Sequence, residues 1–540
     1  MKQQELTVLL CLIWVLTILY GEMFSYWVPA LVTCSWPHLS SPSSDSKVQM
    51  DGVGSQDHYV KVAVLADPQL MDKTSHRLAP KSLALEILQF YTDIFMRRAF
   101  FASVKPFKPD VILFLGDYFD GGPYLSDEEW QESLSRFKHI FGLNAQLRYT
   151  DMQVYFLSGN HDVGYASLHS QRPEVIRRYE ETFGISNYRF TVGKVDFIAV
   201  DAQTLDGHAE KTLASPTWEF VKNVSTDDQL HPRVLLTHIP LYRPDWTSCG
   251  PHRSSPVINQ RVSHAALDHD ILYQNYVTED SSNYLLDLIK PILILSGHDH
   301  DQCSVTHESK FGPVKEHTLG TISWQQGNLH PSFMLLSAGN SGQLNASNPE
   351  EAVLTHLCFL PMQTHIYIWY IFLFVLTLLA LLLLPTSGVS FFHQCRNLVG
   401  YSRQLIASNL LRGGTKEKNE DANYEYEMMW DAEGSMHLVK KPLNASVTNS
   451  SEQSLAGRGN AVMRPTAKKH TSQEIEVSVN MDMASGTALD SISNLPPRTG
   501  KSKTKIVIQR LVRMLRVLTI IAAVNLPLYM MLLFKDWIDK

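Results

Sequence analysis

Asp67-Pro68-Gln69, Gly116-Asp117, Gly159-Asn160-His161-Asp162, Thr237-His238 and Gly297-His298-Asp299-His300 follow one another along the chain, each after a run of strand-forming residues. Carboxylate, amide and imidazole groups on the ends of neighbouring strands can converge on two divalent cations, and paired cations are a standard device for cleaving phosphate esters. Each motif is weak alone. A Gly-Asp pair at a strand end is usually a turn, and Gly-Asn-His-Asp by itself reads as a loop with self-capped side chains. Five such strand ends, roughly 40 to 80 residues apart and each with a ligating side-chain type, point together to a dinuclear metal centre. Oxygen and imidazole donors suit Mn, Fe or Zn and need no thiolate. Two cations about 3.5 to 4 Å apart repel unless an anionic oxygen lies between them, and a carboxylate supplies one. His161 need not ligate. It can stabilise or protonate a leaving oxygen, with Asp162 or another carboxylate orienting its ring. Asp120 reads either as support for the site or as a turn residue.

The elements that must position these residues follow from periodicity. Residues 61–66, 110–115, 153–157, 233–236 and 291–295 are short and almost wholly apolar, as suits strands buried on both faces. Leu83, Ile87, Leu88, Tyr91 and Phe95 have helical spacing, as do Trp130, Leu134, Phe137 and Phe141 after a capping box at Ser126 and Glu129. Residues 189–192 and 195–200 flank Gly193-Lys194 as a hairpin, and residues 321–324 and 332–337 are expected to add two strands. Alternating strands and helices predict an α/β fold, a two-sheet β-sandwich flanked by helices, with a Rossmann-type sheet as the alternative.

The 540-residue chain exceeds a single domain, and its net charge of -7 argues against a nucleic-acid-binding protein. Leu6 to Tyr20, Ile366 to Leu384 and Val517 to Phe534 each approach the ~20 apolar residues that cross a bilayer. A cleaved signal peptide is the alternative for the first. Lys501, Lys503, Lys505, Arg510, Arg513 and Arg516 precede the third stretch, and Arg396 and Arg403 follow the second, which places the segment between them in the cytosol. The expected organisation is an N-terminal anchor (1–34), a Ser- and Pro-rich spacer (35–57), a luminal catalytic domain (58–360), a membrane helix (365–385), a largely disordered cytosolic loop (386–516), a membrane helix (517–534) and a short luminal tail (535–540). Asn223 and Asn345 then become glycosylation candidates. Tyr426-Glu-Met-Met429 has the form of a tyrosine-based sorting signal for trafficking adaptors. No retrieval address ends the chain, so endoplasmic reticulum and Golgi both stay open.

Over about residues 58 to 340 the motif set resembles the calcineurin-like metallophosphoesterase superfamily, with its D-x-H, G-D-x-x-D, G-N-H-D, later His and G-H-x-H pattern. The resemblance implies that Asp67, Asp117 and His300 hold one metal, that Asn160, His238 and His298 hold the other, and that Asp117 bridges them. Gln69 stands where the superfamily usually has His; it either ligates weakly or hydrogen-bonds to a water in that place. Asp67-Pro68-Gln69, Gly116 to Gly121, Gly159 to Gly164, Thr237 to Arg243, Cys249 and Gly297 to Cys303 resemble the membrane-bound branch that remodels GPI anchors. That likeness implies a manganese-dependent phosphodiesterase, with Fe, Zn or Mg as alternatives. It would remove ethanolamine phosphate from a mannose of the GPI glycan, acting on GPI glycolipid or GPI-anchored proteins in the early secretory pathway. A phosphomonoesterase acting on phosphoprotein or nucleotide, and a non-catalytic membrane cargo adaptor, are the competing readings. Cys249 and Cys303 both follow metal-bearing motifs and are expected to pair; Cys34 and Cys358 flank the first two membrane segments and could pair as well. Tyr118, Tyr242, Trp246 and Trp324 are possible aromatic platforms for substrate, none of them assigned.

Overall fold

The computed structural model describes residues 3–37, 59–143, 152–206, 214–256, 259–264, 271–339, 352–383, 424–430, 436–442 and 503–538. The chain divides into two units, residues 1–387 with 507–540, and residues 388–506. In the first unit two mixed sheets lie at the centre. One contains β1 (Tyr59–Leu65), β2 (Val111–Phe114), β3 (Gln153–Phe156), β12 (Ser332–Gly339) and β13 (Val353–Phe359), in the order β13-β12-β1-β2-β3. The other contains β4 (Tyr188–Val192), β5 (Val195–Val200), β6 (Arg233–Thr237), β9 (Leu293–Ser296), β10 (Cys303–Ser309) and β11 (Gly312–Thr318), in the order β10-β11-β9-β6-β5-β4. A small hairpin, β7 (Val262–His264) with β8 (Ile271–Gln274), stands apart from both sheets.

Alternation along the strands explains the layering. Val62, Val64, Val111 and Leu113 meet Val195, Phe197, Val234, Leu236, Leu293 and Leu295 in one apolar cluster between the sheets. The intervening residues face outward into helices. Ala63, Leu65, Ile112 and Phe114 pack with Phe95, Trp130 and Phe137, while Ile198, Leu235 and Ile294 pack with Val221, Leu285 and Ile289. Strands covered on both sides need no polar face, which is why their sequences read as unbroken apolar runs. Parallel pairing of β1 with β2, of β2 with β3, and of β5, β6 and β9 in turn sends their C-terminal ends toward one rim. The motifs lie on that rim.

Two expectations change. Residues 321–324 form no strand: Thr321 Oγ1 accepts from Ser323 N at 2.9 Å and bends the chain, and the same hydroxyl donates to the Asp67 carbonyl. Strands β10 and β13, in contrast, carry alternating or polar residues that suit the sheet edges they occupy, and β11, between β10 and β9, alternates as well.

Helix α1 (Gln3–Leu19) continues through irregular helical turns to Thr33. Helix α2 spans Leu83–Arg98, and α3 (Asp127–Ile140) starts at a capping box formed by Ser126 and Glu129. Helices α9 (Gln363–Leu383) and α10 (Lys503–Trp537), with the N-terminal helix, are long and apolar enough to cross a membrane. Leu6 and Leu10 of α1 pack with Leu381 of α9 and with Val517 and Ile521 of α10, and the Trp14 indole donates to Thr377 at 3.1 Å. Residues 6–20 pack in this way as a member of the bundle. In the second unit, Tyr424–Trp430 pairs antiparallel with Met436–Pro442, a local element inside the segment whose composition predicts disorder.

Candidate metal centre

Five of the expected site residues have left-handed backbone: Asp67, Gln69, Asp117, His298 and His300 have φ values between 37° and 69°. Side chains with a Cβ enter this region at a cost and persist there only where surrounding contacts impose it. Those contacts are present. Gln69 N donates to Asp117 O at 2.9 Å, and His298 N donates to both Asp67 oxygens at 3.0 and 3.2 Å. Gly116, at φ 97°, cannot be replaced without collision, because a Cβ there would lie 2.7 Å from His238 Nδ1; one on Gly159 would strike the Asp117 carboxylate.

Two donor sets emerge. Asp117, His238 and His298 form one, and Asp67, Asp117 and His300 the other, each with ligating atoms mutually within 4.8 Å. Asp117 is common to both. Asn160 joins the first set, its Oδ1 3.1 Å from His238 Nε2, and Gln69 lies beside the shared carboxylate, its amide donating to Asp117 Oδ2 at 3.1 Å. The ring nitrogens are already apportioned. His238 Nδ1 donates to Leu115 O at 2.7 Å and turns Nε2 inward; His298 Nε2 donates to Gln274 O at 3.0 Å and leaves Nδ1 inward. Holding the outer N–H in this way fixes the tautomer that a cation requires.

The electrostatics fit cations at this place. Burial pushes Asp67 up to about 8, with Asp117 adding to the rise and His238 opposing it. Burial also opposes ionisation of Asp117, but His238 and His161 outweigh it and hold that carboxyl far below its ordinary range. Burial lowers His298 to about 3 and His300 to about 4, so both rings are neutral and able to ligate. Two buried carboxylates with three converging imidazoles and two side-chain amides form an oxygen and nitrogen donor set suited to two divalent first-row cations.

His161 stands at the edge of this group, half-buried. Its backbone N–H donates to Asp117 Oδ1 at 2.8 Å and its Nδ1–H donates to the Asp120 carbonyl, with an Asp120 carboxylate oxygen 3.7 Å away. Burial would lower its pKa, but Asp117 and Asp120 outweigh it and raise it. Asp162 departs from the expected role. Its oxygens accept from Asp117 N, Tyr118 N and Gly159 N at 2.8, 2.8 and 3.0 Å, which braces the two ligand loops and leaves ring orientation to Asp120.

Other supporting residues carried no sequence signal. Arg253 grips Asp299 at 2.6 and 3.0 Å, between the last two histidine ligands. Asp72 accepts from Gly121 N at 2.7 Å and from Thr74 N at 2.8 Å. Cys249 and Cys303 are disulfide-bonded, as are Cys34 and Cys358. Tyr118 is fully buried, its hydroxyl donating to Leu157 O, and cannot be a substrate platform. Trp246 is exposed, and Trp324 packs on Tyr367. Asn223 is exposed on the helix Ala214–Thr226, whereas Asn345 lies outside the described residues.

Comparison with known proteins agrees with this geometry. Residues 60–302 match the family model for calcineurin-like phosphoesterases. The cell division control protein 1 of Saccharomyces cerevisiae is 30% identical over 335 residues, covering 58% of this chain and 64% of the yeast protein, just under two thirds of that protein's length. Metallophosphoesterase 1 of Rattus norvegicus is 28% identical over 419 residues, covering 73% of this chain and 95% of its own. The Drosophila melanogaster metallophosphoesterase 1 homolog is 25% identical, covering 62% and 81%.

Proposed function

We propose that the chain, whose residues 60–302 match the calcineurin-like phosphoesterase family model, is a membrane-embedded phosphodiesterase. Its substrate is the ethanolamine phosphate on a mannose of GPI-anchor glycans, and its cations are manganese. The carrying observation is a short chain of contacts that runs from the two-cation donor set to a membrane-length helix. Thr321, whose hydroxyl holds the Asp67 carbonyl, is followed three residues later by Trp324, which packs edge-on against Tyr367 of α9. A site so close to the bilayer suits a phosphodiester carried by a lipid anchor, since sharing one surface raises the effective concentration of substrate.

Orientation has two supports. Lys503, Lys505, Arg510, Arg513 and Arg516 lie in the N-terminal half of α10, while its C-terminal Asp536 and Trp537 touch the catalytic domain; the basic end belongs in the cytosol and the domain in the lumen. Both disulfides also fit an oxidising compartment of the endoplasmic reticulum or Golgi.

Asp67, Asp117, Asn160, His238, His298 and His300, with Gln69 alongside, would hold the cations, which supply Lewis-acid charge beside the phosphoryl oxygens and lower the proton affinity of water. The chain's own residues do the rest. His161 directs Nε2 toward the leaving oxygen and gives it a proton, Asp120 keeps the ring charged and aimed, and Asp162 keeps the Asp117 and Asn160 loops in register. The test compares purified full-length protein on a GPI-glycan phosphodiester and on a phosphopeptide, with GPI-glycan analysis of cells lacking it. Preference for the peptide, or unchanged glycans, overturns the proposal. Rescue of such cells by His161→Ala would favour a non-catalytic adaptor.

A further inference from the structure

Helix α2 has apolar side chains on two opposite faces. Phe95 and Met96 face the domain core, and Leu85 and Thr92 are buried as well. On the outward side, Leu83, Ile87, Phe90, Tyr91 and Ile94 recur at three- and four-residue spacing. The C-terminal half of that outer stripe is covered by membrane helices. Tyr91 packs edge-on against Tyr367 of α9 and its hydroxyl lies 3.1 Å from that of Tyr529 of α10, while Phe90 packs on Trp537. The N-terminal half is bare: Leu83 is 72% and Ile87 48% exposed.

The aromatic residues that cover the stripe mark a membrane boundary. Tyr367, Trp369 and Tyr370 at the start of α9 and Tyr529 and Trp537 near the end of α10 stand at the domain end of the bundle, the composition that settles at headgroup level. A helix that joins this belt through Phe90 and Tyr91 and runs on with Ile87 and Leu83 uncovered continues along the same boundary. Its polar tie is to the metal centre: Gln89 Nε2 and Arg136 Nη1 donate to the carbonyl of Met71, two residues beyond Gln69, at 3.0 and 2.9 Å.

We infer that the outer face of α2, led by Leu83 and Ile87, inserts into the headgroup-to-acyl boundary of the bilayer and holds the rim of the metal centre against the membrane surface. Exposed Lys81, two residues before Leu83 in the turn that leads into the helix, then lies at phosphate level. Such a helix lies in the interface by its apolar face and does not span. The consequence for substrate rests on the reading above: the scissile phosphodiester arrives within the plane of the membrane and not from bulk solution.

The insertion is tested on full-length protein in nanodiscs, in a Cys11→Ser, Cys395→Ser background, with an environment-sensitive fluorophore on Ile87→Cys or on Leu230→Cys. Leu230 is 78% exposed and precedes β6, at the end of that strand away from His238. Headgroup-spin-labelled phospholipid should quench the fluorophore at 87 and leave that at 230 bright. Equal quenching, or none at 87, overturns the inference. In a second measurement, Leu83→Asp with Ile87→Asp should lower turnover of a synthetic ethanolamine-phosphate mannolipid in nanodiscs about tenfold and leave hydrolysis of soluble bis(p-nitrophenyl) phosphate unchanged. Equal loss on both substrates, or loss on neither, also overturns it. Should the wild type hydrolyse neither substrate, the functional reading fails, while the quenching result still decides the placement of α2.

Discussion

His161 is held by one ring nitrogen, with the Asp120 carbonyl taking the Nδ1 proton, so Nε2 is the atom that meets a leaving oxygen. Removing it deletes proton transfer and leaves the donor sets intact, because neither set contains its ring. His161→Ala is therefore expected to cut turnover by about 10²- to 10⁴-fold while elemental analysis finds the metal content of wild type. Loss of metal in parallel would make His161 a ligand. Asp120→Asn keeps the backbone carbonyl and removes the charge; a several-fold drop in kcat at unchanged KM is the expected result, and a change confined to KM would place Asp120 in substrate binding. The ligands were legible because oxygen and imidazole groups follow apolar runs at five places. Asp120 was legible only as one of two readings, support or turn, and the roles of Asp72 and Asp299 were not legible, since each depends on a loop meeting another loop. Nor does a sequence advertise left-handed backbone at Asp67 or His300, where no glycine stands.

Strands buried on both faces announce themselves by composition, and β1, β2, β6 and β9 were read within a residue or two. Strand β11 hid because it includes Pro313, Lys315, Glu316 and His317, yet it carries a buried carboxylate that ties the second sheet together. Glu316 accepts from Ser296 Oγ at 2.6 Å and from His307 Nε2 at 2.7 Å, with Arg243 3.7 Å away. Burial alone would raise its pKa, but Arg243 and His307 outweigh burial and bring it down to about 2. A depressed carboxyl contributes stability that is full above its unfolded value of 4.5 and disappears as pH falls through about 2. Glu316→Gln should thus be less stable than wild type at pH 7 by on the order of 3 kcal/mol, and the two should converge near pH 2. Denaturant unfolding in micelles at both pH values measures this, and a gap independent of pH would refute it. The Cys249–Cys303 bond closes a 54-residue separation next to the last ligand motif. Cys303→Ser is expected to cost about 2 to 4 kcal/mol in the same assay.

At the scale of the molecule, the three apolar helices do more than anchor. Glu22, in the N-terminal helix, is 2% exposed and pairs with Arg98 of α2, 4% exposed. Arg98 also reaches Asp536 at 3.0 Å and the Leu532 carbonyl at 3.1 Å on α10, while Tyr370 of α9 donates to Glu22 at 2.9 Å. The Arg98–Glu22 pair thus gathers all three helices onto the catalytic domain. Periodicity could not reveal it, because single charges 76 residues apart form no pattern. Breaking a buried pair by removing one partner strands the other charge, typically at about 3 to 5 kcal/mol. Arg98→Ala should lower the unfolding midpoint of the full-length protein and expose the domain–bundle junction to protease. Adding Glu22→Gln should recover part of that loss, because the stranded carboxylate is gone, whereas a double variant losing the sum of both single effects would show that the two side chains are not coupled. Coupling of the expected sign would mean that the domain rides on the bundle as one body, holding the metal centre at a fixed height over the lipid.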